Sequence, residues 1–303
     1  MLSQQNRHLL PLIGALFTLY IVWGSTYFAI KLGVESWPPL MMAGVRFLIA
    51  GIILFCFLLL RGHAIPTLKQ WFAASIIGIL LLAVGNGLVT VAEHQDVPSG
   101  IAAVMIATVP LFTLCFSLFW GIRNSKLEWA GITLGLVGIV LLNTGNNLIG
   151  NPTGALLVLL ASASWAFGSV LSSRISLPRG AMAGAAEMLV AGVVLLIASQ
   201  LNGEHLDKMP SLSGFLALSY LIVFGSMLAI SAYMFLLKNV RPAVATSYAY
   251  VNPVVAVLLG VGFAGESLAP REWLALVVIV SAVVLVTLGK YLFARPRRLQ
   301  RTE

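Results

Sequence analysis

The hydrophobic residues of this chain fall into long runs rather than into the one-sided stripes of a soluble helix. A helix needs about 20 apolar residues to cross the roughly 30 Å hydrocarbon core of a bilayer. Ten runs of about that length are present, at about 11–30, 39–60, 71–92, 99–120, 128–145, 152–172, 181–200, 212–237, 243–264 and 272–293. The pattern predicts an all-α polytopic membrane protein with ten transmembrane helices.

The polar and small residues inside these runs recur at a separation of 141 to 144 residues. The matched pairs are Trp23-Gly24-Ser25 with Trp165-Ala166-Phe167-Gly168-Ser169, Ala50-Gly51 with Ala191-Gly192, Pro110 with Pro253, and Glu128-Trp129 with Glu272-Trp273. A constant offset indicates an internal duplication. We therefore predict one five-helix repeat at 11–145, a second at 152–293, and a basic tail at 294–303. Because five is an odd number, the two repeats enter the membrane with opposite orientations.

Composition and charge agree with a membrane protein. The chain is 59% hydrophobic and only 9% charged, whereas charged residues make up about a quarter of an average protein. Its net charge of +8 lies mainly in the connecting segments and the tail, which favours membrane orientation over nucleic-acid binding. With both termini in the cytoplasm, 14 of the 18 Lys and Arg residues lie on the cytoplasmic side. The positive-inside rule therefore predicts a multi-pass membrane protein with both termini in the cytoplasm.

Two matched prolines lie about ten residues into their spans. Pro110 removes the helical partner of the Ile106 carbonyl, and Pro253 removes that of Ala249. Paired helix breaks in two inverted halves are typical of a central binding site. A kink that serves only packing is the alternative for each proline.

Polar and aromatic side chains deep in four spans are candidates for the lining of a substrate cavity. They are Trp23, Ser25 and Tyr27 in the first span, Asn86 in the third, Trp165 and Ser169 in the sixth, and Tyr248 and Asn252 in the ninth. Aromatic faces with small hydroxyls suit an organic, partly apolar solute. Hydrogen bonding or close packing between helices remains open as the role of each residue.

Arg46 and Glu187 occupy equivalent positions of the two repeats, each seven residues into its span. Charges at such depth are costly and usually face the bundle interior or water. Inversion of the repeats places them at different depths, so no direct ion pair is expected. Arg46 could instead extend its charge towards the interface, whereas the shorter Glu187 is the candidate for proton coupling.

The sequence contains no phosphate-binding loop and no metal-ligand spacing among its four His and two Cys residues, so we expect neither an enzyme nor a cofactor or metal. Small-residue spacings such as Gly131, Gly135 and Gly138 permit close helix packing. A monomer and a weak homodimer both remain open.

These features together resemble the EamA branch of the drug/metabolite transporter superfamily over about 11–293. The resemblance is carried by Trp23-Gly24-Ser25, Arg46-Phe47 with Ala50-Gly51, the two proline-containing spans, and Gly265-Glu266 followed by Glu272-Trp273. The first repeat departs from the Gly-Glu pair with Gly121-Ile122-Arg123.

The resemblance implies a secondary transporter of the cell inner (plasma) membrane that moves small organic metabolites, such as amino acids or toxic compounds, by alternating access. Export is the expected direction, and the partners are a small-molecule substrate, the lipid bilayer and protons. A passive channel or facilitator for small solutes is the alternative function.

Overall fold

The computed structural model describes residues 4–95, 106–121, 125–143, 152–255 and 270–293, and its regular elements in these ranges are all helices. The tail at 294–303 and the Gly265-Glu266 pair lie outside the described residues. Five helices are long and apolar enough to cross a membrane: Leu10–Val34, Pro39–Leu60, Leu68–His94, Ala181–Leu201 and Leu212–Asn239. The predicted all-α membrane class is confirmed.

Ten helices follow one another through the described ranges of the chain. In the first repeat, α1 comprises Gln4–Thr18, Leu19–Trp23 and Gly24–Val34; α2 is Pro39–Leu60; α3 comprises Leu68–Gly78, Ile79–Asn86 and Gly87–His94; α4 is Val109–Phe119; and α5 is Lys126–Asn143. In the second, α6 is Pro152–Ser172; α7 is Ala181–Leu201; α8 comprises Leu212–Tyr220, Leu221–Leu228 and Ala229–Asn239; α9 comprises Pro242–Ala245 and 248–255; and α10 is Pro270–Phe293.

The contacts between helices follow the duplication: each contact described below pairs a helix with its own counterpart in the other repeat, or has an equivalent contact with the two repeats interchanged. Helix α2 packs along α7, and α5 packs along α10. Helix α3 contacts α6 and α7, while its counterpart α8 contacts α1 and α2. This arrangement is expected from a pseudo-two-fold axis between duplicated, inverted halves.

The α2–α7 contact depends on glycines from the repeated Ala-Gly pairs. A methyl group added to Gly51 would lie 2.8 Å from the backbone nitrogen of Leu189, and one added to Gly192 would lie 2.5 Å from that of Leu48. The backbones therefore touch where the two equivalent glycines cross. Gly135 and Gly138 similarly face Tyr250 of α9 and Ile279 of α10, so this small-residue face packs within the chain.

Helices α3 and α8 contain π-helical segments at equivalent places, Ile79–Asn86 and Leu221–Leu228. A π-helical turn shifts each backbone hydrogen bond to the carbonyl five residues back, which frees a carbonyl from the ladder. In α8 the N–H of Ala229 donates to the carbonyls of Phe224 and Ser226 and not to the carbonyl of Gly225, its acceptor in a regular α-helix. In α3 the N–H of Gly87 bonds Leu82 and Val84, the counterparts of the same two residues.

Helix interruptions occur in both α4 and α9, but only the interruption in α4 lies next to its proline. Helix α4 begins at Val109 after a turn at 107–108, so Pro110 lies in its first turn. In α9 the turn is at Thr246 and Ser247, and 248–255 is helical through Pro253. The hydroxyls of Thr246 and Ser247 donate to the carbonyls of Pro242 and Val244, at 2.9 and 2.8 Å, and so add to the backbone N–H bonds that the same residues make to these carbonyls at 2.9 and 3.3 Å.

Candidate functional site: a central cavity between the repeats

A narrow cavity with a volume of about 70 Å³ lies between the two repeats. In this conformation it is smaller than the roughly 300–1,000 Å³ typical of small-molecule sites. Helices α1, α2, α3, α4, α6 and α9 supply its walls. The lining residues are Trp23, Thr26, Tyr27, Ile30, Arg46, Gly85, Asn86, Val89, Ile106, Val109, Ala161, Ser162, Trp165, Tyr248 and Asn252.

Six of the eight predicted lining residues surround this cavity: Trp23, Tyr27, Asn86, Trp165, Tyr248 and Asn252. Ser25 lies outside it, where its hydroxyl donates to the Val22 carbonyl at 2.7 Å and lies 2.6 Å from the Tyr220 hydroxyl. Ser169 is fully buried behind Trp165 and donates to the Trp165 carbonyl at 2.6 Å. Both serines therefore connect helices rather than line the cavity.

Arg46 is the charged residue among those lining the cavity, and it is only 2% exposed. Its Nε donates to the Ser226 hydroxyl at 2.7 Å, and its Nη2 donates to the Gly225 carbonyl at 3.2 Å. The guanidinium also lies over the ring of Phe47, 4.8 Å from the ring centre. Arg46 thus stays inside the bundle, and the alternative that it extends towards the interface does not describe this structure.

The Gly225 carbonyl that receives Arg46 is the one bypassed in the π-helical segment of α8. Trp23 Nε1 donates to the same oxygen at 3.1 Å, which uses the second lone pair of that carbonyl. The sequence analysis missed Gly225 and Ser226. Their signal was weak, because a Gly-Ser pair inside an apolar run also fits ordinary close packing.

A cluster of four aromatic rings, Trp23, Trp165, Tyr233 and Tyr248, closes one end of the cavity. The Trp23 ring centre lies 4.5 Å from that of Tyr248, 5.2 Å from that of Tyr233 and 5.5 Å from that of Trp165. The Tyr233 hydroxyl accepts from Trp165 Nε1 at 3.1 Å and lies 2.6 Å from the Ser169 hydroxyl. Because all four rings are buried and three of them are hydrogen-bonded, they form an ordered barrier.

Two side-chain amides face the cavity with unused acceptors. Asn86 Oδ1 and Asn252 Oδ1 are both buried and have no hydrogen-bond partner within the part of the chain that the structure describes. Buried polar groups are nearly always satisfied, so these oxygens point to a hydrogen-bond donor that comes from a ligand or from water.

Glu187 does not line the cavity. It is fully buried on α7, and among the described residues neither of its carboxyl oxygens has a hydrogen-bond partner. A methyl group on Gly78 of α3 would lie 2.6 Å from the Glu187 carbonyl oxygen, so α3 packs directly on this position. The groups that interact with it electrostatically are Lys238 and Tyr233. Glu187 therefore lies behind the four-ring cluster, away from Arg46.

Pro110 and Pro253 are both buried beside the cavity wall. Ile106, whose carbonyl Pro110 leaves without a helical partner, lines the cavity, as does Asn252, the residue before Pro253.

A second, wider cavity lies near the C-terminal ends of α1, α3 and α7. It is lined by Glu35, His94, Glu204 and Asp207, among others.

Comparison with known proteins identifies the same family twice along the chain. The EamA-like transporter family profile matches residues 10–144 and 152–288. The chain is 71% identical over 291 residues to the "uncharacterized inner membrane transporter YedA" of Escherichia coli K12, which covers 96% of this chain and 95% of that protein. It is 27% identical to "Protein PecM" of Dickeya dadantii, over 93% of this chain and 94% of that protein. A solved crystal structure, 22% identical, covers 91% of this chain with a TM-score of 0.75, which supports the fold.

Proposed function

Because this chain belongs to the EamA-like transporter family, and is thus a multi-pass inner-membrane transporter rather than an enzyme, we propose that it moves small organic metabolites by alternating access. The observation that carries the proposal is the central cavity, which both repeats line and which the four-ring cluster closes at one end. A site between inverted halves becomes accessible from each side in turn when the halves rock against each other. Export of amino acids or toxic compounds is the direction and cargo we favour.

The position of the cavity suggests which side it serves in this conformation. Ile30 and Val89 of its wall lie towards the Val34 end of α1 and the His94 end of α3. The positive-inside rule assigns those ends to the outside. With the rings of Trp165 and Tyr233 on the cytoplasmic side of the cavity, we infer an outward-facing arrangement with the inner path closed.

Glu187 supports the further proposal of coupling to protons. An ionised carboxylate is costly to bury without partners, and protonation removes most of that cost. Rocking of the repeats would change the contact of α7 with Gly78 of the other repeat, and so would change the stability of the charged form. Glu187 can then take up a proton in one conformation and release it in the other.

Transport in liposomes tests the proposal. Purified protein is reconstituted, loaded with a metabolite mixture from cells that overproduce it, and assayed for saturable uptake and for exchange against the same solutes outside. We expect saturation and exchange, since a transporter presents one site alternately to each side. Flux that rises linearly with concentration and shows no exchange would instead favour the alternative, a passive channel.

The Glu187→Gln variant tests the coupling. It retains the size of the side chain and removes its proton exchange, so we expect exchange at equal pH to persist while uphill movement driven by a pH gradient falls at least about tenfold. Asp207→Asn is the matched control, because it neutralises an exposed carboxylate in the α7–α8 connection. Equal pH-driven transport by wild type and Glu187→Gln would show that coupling does not use this residue.

A further inference from the structure

The polar groups that face the cavity are complementary to one kind of solute. Arg46 carries five N–H donors, and its contacts with Ser226 and Gly225 account for Nε and one N–H of Nη2. In the described ranges Nη1 has no hydrogen bond to the protein, and no carboxylate lies within ion-pair distance of Arg46. The free edge of the guanidinium is therefore available to a ligand in the cavity.

An anion is the ligand that this edge recognises best. Guanidinium groups bind carboxylates through paired, charge-assisted hydrogen bonds, and such bonds strengthen where water is excluded. Arg46 is held in place on its other side by the α8 carbonyl and hydroxyl, so little side-chain entropy is lost when an anion binds. A cation would be repelled by the same group, even though the surrounding rings attract cations.

The two unused amide oxygens define a second contact. Asn86 and Asn252 each present an Oδ1 without a partner to the same cavity that Arg46 lines. Both are acceptors, so each requires an N–H or O–H group rather than another acceptor. The four-ring cluster offers an apolar surface at the closed end of the cavity.

We propose that the transported solute is a small organic carboxylate that also carries an amine or hydroxyl donor. Its carboxylate binds the free edge of Arg46, its donor binds Asn86 and Asn252, and its carbon skeleton packs against Trp23 and Tyr248. The inference rests on the proposed function, because it assigns the cargo of the same cavity. Glu93 interacts electrostatically with Arg46 and Lys31, but among the described residues it does not line the cavity and forms no ion pair with Arg46.

A matched ligand series tests this chemistry in purified detergent-solubilised protein. Phenylacetate carries the carboxylate alone, phenylethylamine the amine alone, and phenyllactate and phenylalanine carry a carboxylate with a hydroxyl or an amine. Binding is measured as the rise in unfolding temperature and as quenching of tryptophan fluorescence, since Trp23 and Trp165 line the site. We expect the two-group ligands to bind most tightly, phenylacetate more weakly, and phenylethylamine not at all.

Variants assign the binding to the cavity. Arg46→Gln should weaken binding of the carboxylates by about tenfold or more, the effect of losing a charge-assisted hydrogen bond. Asn86→Asp keeps Arg46 and adds a competing carboxylate, so it should weaken binding of phenylacetate and phenyllactate, which carry no ammonium group, even if Arg46→Gln fails to fold. Arg61→Gln, which removes an exposed guanidinium at the end of α2, is the control and should leave the series unchanged.

Preference for phenylethylamine, unchanged binding after Arg46→Gln or Asn86→Asp, or no binding of any of the four ligands to wild type would overturn the inference. These results are separate from the liposome assay. Saturable exchange of other solutes without carboxylate binding would leave the transporter proposal standing and refute only the assigned cargo. Carboxylate binding without exchange would refute the transport proposal and leave a carboxylate site.

Discussion

At the scale of single residues, the most consequential contact is between a side chain and one backbone oxygen. The Gly225 carbonyl accepts from both Arg46 and Trp23, and it can do so because the π-helical segment leaves it out of the helix ladder. The sequence indicated that Arg46 was buried and functionally suspect, since a charge in an apolar run is expensive. It could not indicate the partner, because Gly225 is 179 residues away and its carbonyl is freed only by the local backbone geometry.

The Gly225→Ala substitution tests this contact. A methyl group there would lie 3.0 Å from Thr26 Cγ2 and 3.1 Å from Arg46 Nη2, so it must displace the guanidinium or the α1 wall. We expect a loss of about 1–3 kcal/mol in stability, typical of overpacking, together with weaker binding at the cavity. Thermal unfolding in detergent measures the first effect. Gly14→Ala is the control, because a methyl group at Gly14 meets nothing within 4 Å; equal unfolding temperatures for the two variants would contradict the prediction.

At the scale of helices, hydrophobic run length predicted the elements well because a span is defined by the bilayer thickness. The predicted run at 71–92 corresponds to Leu68–His94, and that at 181–200 to Ala181–Leu201. Run length cannot reveal where a helix changes its hydrogen-bond register, since Ile79–Asn86 is at least as apolar as its flanks and continues the same hydrophobic run. For the same reason, proline located the interruption of α4 but not the hydroxyl-supported turn at 246–247 in α9.

The crossing of α2 and α7 provides a test at this scale. A methyl group at Gly192 would lie 2.5 Å from the Leu48 nitrogen and 2.7 Å from its Cα, and backbone atoms cannot rotate away. Gly192→Ala should therefore separate the helices and lower stability by about 3 kcal/mol, the upper range for overpacking.

The matched control for Gly192→Ala is Gly184→Ala on the same helix. There the nearest atom is Ile230 Cγ2 at 3.0 Å, a side-chain atom that can move. Thermal unfolding should order the proteins as wild type, Gly184→Ala and Gly192→Ala, from most to least stable. The reverse order of the two variants would show that the helix crossing is not the tight point of the fold.

At the scale of the whole molecule, the duplicated repeats form one asymmetric site. Arg46 and Glu187 occupy equivalent positions in the sequence repeats. Arg46 lines the cavity and is held by two hydrogen bonds to α8. Glu187 instead lies behind the four-ring cluster, and its carboxyl oxygens have no hydrogen-bond partner in the described structure. The cavity residues could be shortlisted from their polarity and depth, and six of eight lie together. Which ones meet depends on packing between α1, α3, α6 and α9, which no single span encodes.

Membrane orientation decides the direction in which this asymmetric site faces, and cysteine accessibility tests it. With Cys56 and Cys115 replaced by Ala, Asp207→Cys lies in the exposed α7–α8 connection and Lys69→Cys in the exposed first turn of α3. The positive-inside rule assigns Asp207 to the outside and Lys69 to the cytoplasm. A membrane-impermeant maleimide should label Asp207→Cys in intact cells and Lys69→Cys only after permeabilisation. The opposite labelling would invert the orientation, and the cavity beside Arg46 would then open to the cytoplasm in this conformation, with Glu187 on the outer side of the aromatic barrier.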